Sequence, residues 1–147
     1  MLFYQDEKTA NNRPGQHSVH FCRNEVETTH DTFFICSRVM AIWEKVHRWW
    51  NFPFSSFSSI AAVMDGIDSS RLSKDSQMGV EAIFMITCFS LWRFRNKTLF
   101  DKSAPRLSDL FDFIVEFSFR WMCYRCKGSR RNFTEWSSSP SNCIRSL

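Results

Sequence analysis

The stretch Met78–Phe100, MGVEAIFMITCFSLWRFRNKTLF, decides the fold. It is apolar almost all round, with Ile83, Phe84, Ile86, Phe89, Leu91 and Trp92, and it turns basic at Arg93, Arg95 and Lys97. A helix with no polar side is either buried among neighbours or set in a membrane, and a membrane span needs about 20 apolar residues. The uncharged run from Ala82 to Trp92 is too short for that. The pattern therefore predicts a buried central helix from Met78 to about Phe100, with no membrane as partner.

Upstream, Ser37 is a candidate N-cap, and Val39, Ile42, Trp43, Val46, Trp49 and Trp50 recur at helical spacing until Asn51-Phe52-Pro53 ends the run. Downstream, Ser103-Ala104-Pro105 restarts the chain. There Leu107, Leu110, Phe111, Ile114, Phe117, Trp121 and Tyr124 form one predicted core stripe, with Asp109, Asp112, Glu116 and Arg120 elsewhere. Acids in its first turns, Arg125 and Lys127 in its last and Gly128 just beyond suit a helix and its stop. Between the first two helices lie a Ser-rich stretch, a short apolar turn from Ile60 to Met64, and a polar connector from Asp68 to Gln77 expected to be a mobile loop.

A chain of 147 residues, 44% hydrophobic and 16% aromatic, can fill one core. Sixteen Phe and six Trp against four Gly argue against a loop-rich disulfide scaffold, although six Cys is an even number. Met1 to Asn12 is polar by Asp6 and Glu7 and has no apolar leader, so the thiols are expected to be reduced and the location nuclear or cytoplasmic. A net charge of +4 permits a nucleic-acid partner without requiring one.

Catalytic patterns are absent from the sequence. A two-metal site needs converging carboxylates, and there is no Asp-Asp pair. Four isolated Gly supply no phosphate-cradling loop. All four His fall between His17 and His47, and no nucleophile is paired with them by pattern. Cys88, inside the apolar helix, is expected to be a small core hydrophobe. Cys123 and Cys126 have the spacing of a redox pair or half a zinc site, but no second pair accompanies them. The one gathering of metal-type ligands is His17, His20, Cys22, His30 and Cys36, since zinc favours thiolate and imidazole in a tetrahedron.

The run Cys22-Arg-Asn-Glu-Val-Glu-Thr-Thr, then Phe33-Phe34-x-Cys36, Val39 and Trp43 through Trp49-Trp50, resembles the zinc-binding region at the C-terminal end of plant LINE-type (non-LTR) retrotransposon reverse transcriptases. The resemblance continues through Leu91-Trp92-Arg93-Phe94-Arg95-Asn96-Lys97-Thr98-Leu99-Phe100, Asp112-Phe113-Ile114, Ser118-Phe119-x-Trp121, Lys127-Gly128 and Trp136, over roughly residues 13–140. The Trp-Arg-x-Arg-Asn block is its most specific part. In that family the knuckle reads Cys-x2-Cys, Glu-Ser/Thr-x2-His and x4-Cys. Cys22 matches the second Cys, Glu27 and Thr28 the Glu-Thr pair, and Cys36 the last Cys. Val19 replaces the first Cys, and Asp31 stands where the His belongs, with His30 one place early. The resemblance implies a degenerate zinc site whose candidate ligands are Cys22, Cys36, His30 and His20.

The fold class expected is mainly α: a small zinc-knuckle-like N-terminal segment followed by a three-helix, aromatic-rich core. Residues 1–20 form a flexible arm, 21–128 the reverse-transcriptase zinc-binding-like domain and 129–147 a flexible tail. The family is an RNA-directed DNA polymerase, but the aromatic-x-Asp-Asp polymerase motif is absent here, so if Met1 is the true start the chain is a non-catalytic fragment. What the resemblance implies is accessory, weak and non-specific contact with RNA or DNA through Arg93, Arg95, Lys97, Lys102 and Arg106. A second basic group is Lys127, Arg130 and Arg131. Trp43, Trp49, Trp50 and Trp92 are placed in the core by their helical spacing, although each could stack on a base. The alternatives are a helical protein-interaction module, with self-association through the aromatic faces, and a relic reading frame.

Overall fold

Valine, isoleucine and tryptophan at positions 39, 42, 43, 46 and 50 share one side of a helix, and that side is buried. Helix α1 spans Ser37–Trp50. The structure is a computed structural model that describes residues 31–51, 59–101, 105–125 and 131–145. Cys36, rather than Ser37, occupies the N-cap, and no side chain caps the end. The helix stops where the sequence predicts, because Asn51 turns left-handed at φ 54° and its N–H closes on the His47 carbonyl at 2.8 Å. A single π-helical turn, Asp31–Ile35, leads into α1. It is pinned by the Trp43 indole N–H, which donates to the Phe33 carbonyl at 2.7 Å.

The apolar turn expected at Ile60 to Met64 is a full helix, α2, Ile60–Asp68. The Ser59 hydroxyl accepts from the Ala62 N–H at 3.1 Å, and Val63 and Ile67, four apart, are fully buried. The central helix α3 runs Lys74–Phe100 and begins four residues before the predicted Met78. Its cap is Ser73, whose hydroxyl accepts from the Ser76 N–H at 3.3 Å, and Asp75 sits at the positive end of the helix dipole. The connector read as Asp68 to Gln77 thus shrinks to 69–73, because polar residues suit a helix's first turn as well as they suit a loop.

Helix α3 packs against α2, the π turn, α4 (Leu107–Arg125) and α6 (Pro140–Arg145). Its buried Thr87 and Ser90 are satisfied locally, donating to the carbonyls of Ile83 and Ile86 at 2.8 and 2.6 Å. The core face of α4 is Leu110, Ile114, Val115, Ser118 and Met122. That corrects the predicted stripe, whose Phe117 and Tyr124 are exposed.

The tail expected to be loose from residue 129 is structured over 133–145. Helix α5, Phe133–Ser138, is capped by the Asn132 side chain, which accepts from the Thr134 N–H at 2.9 Å, and α6 follows at once. The reason is Trp136, fully buried with its ring against Trp49 and Trp50 at 6.1 Å each and Phe119 at 6.3 Å. Burying an indole outweighs the ordering of a few Ser-rich residues. The protein is mainly α, with the three expected long helices and three shorter ones, and with no strand among the described residues. Among those residues no helix is long and apolar enough to cross a membrane.

Candidate nucleic-acid interface

The basic block at the end of α3 divides by helix geometry. Arg93 and Lys97 are four residues apart and exposed on one face, whereas Arg95 lies round the helix, is half-buried and is engaged in other contacts. Arg106 is exposed just before α4. Lys102 lies outside the described residues. Lysine and arginine here also complement the negative end of the α3 dipole, which accounts for their presence without any ligand.

A second feature of the same face is aromatic. Phe113 stacks on Phe117 at 5.4 Å and 12°, Phe117 meets Phe89 at 6.4 Å and 27°, and Phe89 meets Trp92 at 6.3 Å and 26°. The run of near-parallel rings crosses from α4 to α3 and ends at an indole that is 51% exposed. Trp43 and Trp50 are buried and Trp49 partly so, as expected, but Trp92 departs from the core role assigned to it. The Arg93 guanidinium lies over Phe89 at 5.7 Å and over Phe113 at 5.6 Å, so its charge is held beside the rings by cation–π attraction.

Trp92, Arg93, Asn96, Lys97, Phe100 and Asp101 together line an open depression of about 320 Å³. It combines a π face, two cations and an amide that both donates and accepts. The Asp101 carboxylate at its rim repels an anion and limits how strongly a phosphate can be held. Sequence reasoning found Arg93 and Lys97 but missed Trp92, Asn96 and Phe100 as a set. The spacing 92, 96, 100 was the available signal, since it puts all three on one helix face.

The zinc candidates fall mostly elsewhere. Cys22, His20 and His30 lie outside the described residues. Cys36 is buried at the start of α1. Among the described residues no three His, Cys, Asp or Glu side chains are placed to hold a metal ion. Cys123 is an exposed free thiol, and its sequence companion Cys126 is outside the described residues. Cys88 is half-buried against the core, and the loss of solvent there pushes its thiol up to about 12, which keeps it protonated at neutral pH.

Compared with known proteins, the sequence matches no family model, no curated protein and no solved structure at a significant level.

Proposed function

We propose that the chain is a non-catalytic accessory module that holds RNA or DNA weakly and without sequence preference, in keeping with its resemblance to the C-terminal region of LINE-type reverse transcriptases. The observation that carries this reading is the depression at the end of α3, where Trp92, Arg93, Asn96, Lys97 and Phe100 converge. An exposed indole offers a face to any base, Lys97 a point charge to a phosphate, and Asn96 a hydrogen bond to a base edge or sugar. With so few cations, affinity is low and concentrated at low salt.

Binding of a fluorescent single-stranded oligonucleotide across a salt series tests the proposal. Affinity should fall with a log–log slope of about −0.7 to −1.4, the value for one or two phosphates of a single strand. Lys97→Ala should flatten that slope, while Trp92→Ala should weaken binding roughly fivefold or more at every salt concentration. Absence of binding at low salt overturns the proposal. Zinc has no step in this mechanism. Metal analysis of protein purified under reduction without chelator tests the degenerate site, with well under one zinc per chain expected because Val19 and Asp31 replace two ligands. A broken reverse-transcriptase frame upstream of Met1 in the coding sequence would support the ancestry.

A further inference from the structure

Side chains at the end of α3 fall into two rows, because positions four apart follow one another along a helix. Trp92, Asn96 and Phe100 form the first row, and Arg93, Lys97 and Asp101 run beside it, all lining one depression. The first row is two rings with an amide between them, and both rings are open to solvent, the Phe100 ring at 82% exposure. The second row is charge, and it changes sign. Two cations are followed by a carboxylate at the C-cap, where the negative end of the helix dipole adds to its field. Neither Lys97 nor Asp101 is held in an ion pair among the described residues.

A nucleic-acid strand is also two rows, bases along one side and sugar–phosphate along the other. Trp92 and Phe100 are eight residues apart, about 12 Å along the helix, whereas the stacked bases of a duplex strand repeat at about 3.4 Å. Rings so spaced receive neighbouring bases only when these are unstacked and splayed, which a single strand allows and a duplex does not. The backbone row depends on the sugar. Within a DNA strand the sugar–phosphate carries hydrogen-bond acceptors and no donor, so it offers Asp101 only repulsion. Ribose adds a 2′-hydroxyl that can donate, and a carboxylate accepts it in a charge-assisted hydrogen bond. We propose that the depression selects single-stranded RNA over DNA: Trp92 and Phe100 each take an unpaired base, Lys97 the phosphate between them, and Asp101 the 2′-hydroxyl of the second sugar. This rests on the nucleic-acid reading above and names the kind of strand it takes.

Low-salt binding of the full chain to labelled oligonucleotides of one A/C sequence, made as RNA, as DNA and as 2′-O-methyl RNA, tests the proposal. RNA should bind about threefold or more tighter than DNA, and the 2′-O-methyl strand, which has lost the donor, should bind like DNA. An RNA duplex of the same sequence should compete about fivefold or more weakly than the single strand. Asp101→Ala, at an exposed site, should keep the circular-dichroism spectrum, abolish the preference for RNA, and leave DNA bound as well as before or better. Equal affinity for RNA and DNA, a preference that survives Asp101→Ala, a 2′-O-methyl strand bound like RNA, or a duplex bound as well as the single strand would each overturn it. In all four cases the strands still bind and the broader nucleic-acid reading stands. Absence of binding to every strand ends both.

Discussion

The indole N–H of Trp136 donates to the hydroxyl of Ser118 at 3.1 Å, and both side chains are fully buried. Ser118 in turn donates to the Val115 carbonyl at 2.9 Å, so one small hydroxyl serves two buried partners. Ser118→Ala leaves the indole N–H unpaired in the core and should cost about 1–3 kcal/mol. Adding Trp136→Phe to that variant removes the orphaned donor, so the second change should cost less than it does alone. Urea denaturation of the two single variants and the double variant reads both effects.

Gly79 is on the face of α3 that meets α6. A methyl group there would run into the Cδ1 of Ile144, with the Trp50 ring 3.7 Å away. Replacing a mid-helix glycine by alanine favours the helix by about 1 kcal/mol, but overpacking a tight contact costs about 1–3 kcal/mol. Gly79→Ala should therefore be neutral to destabilising by about 2 kcal/mol. Ile144→Val removes the offending carbon, and in that background the glycine substitution should turn neutral or stabilising. Thermal melts of the four proteins in the cycle decide it.

Burial holds the Cys88 thiol at about 12 against an ordinary 9.0, a backbone hydrogen bond offsetting part of the rise, and burial also raises Cys143, helped by the Glu135 carboxylate and opposed by Arg131. A raised folded value means that the folded state keeps its proton while the unfolded chain loses it. The Cys88 contribution is thus complete below 9.0 and is lost as pH climbs toward about 12. The urea midpoint should fall over that window, and less steeply in Cys88→Ala. At about pH 8 a thiol reagent should modify the exposed Cys123 quickly and the half-buried, protonated Cys88 far more slowly.

The sequence reading was accurate where local chemistry settles the matter. The end of α1 at Asn51 and the burial of Val39, Ile42, Trp43, Val46 and Trp50 followed from spacing and a residue tolerant of a left-handed turn. It fell short where a distant partner decides. The α4 stripe was drawn through Phe117 and left out Ser118, whose buried hydroxyl receives the indole N–H of Trp136 from eighteen positions on. The beginning of α3 at Lys74 was hidden because Lys, Asp, Ser and Gln fit a loop as readily as a capped first turn. Of the candidate site, the cations were legible. The exposure of Trp92 was not, since spacing assigns an aromatic residue to a helix face without saying whether that face is covered.

The Trp49 indole N–H reaches the Trp136 carbonyl across 87 positions of sequence, at 3.2 Å. Synthesis therefore delivers one wall of this core long before the side chain that plugs it, and such distant closures are slow to form. Until Trp136 emerges from the ribosome, Trp49, Trp50 and Phe119 lack the ring that packs against them, and apolar surface exposed in this way favours aggregation. A premature stop anywhere before codon 136 would release a product with an open core, marked for proteolysis. Helices α5 and α6 thus supply the closing piece of this core.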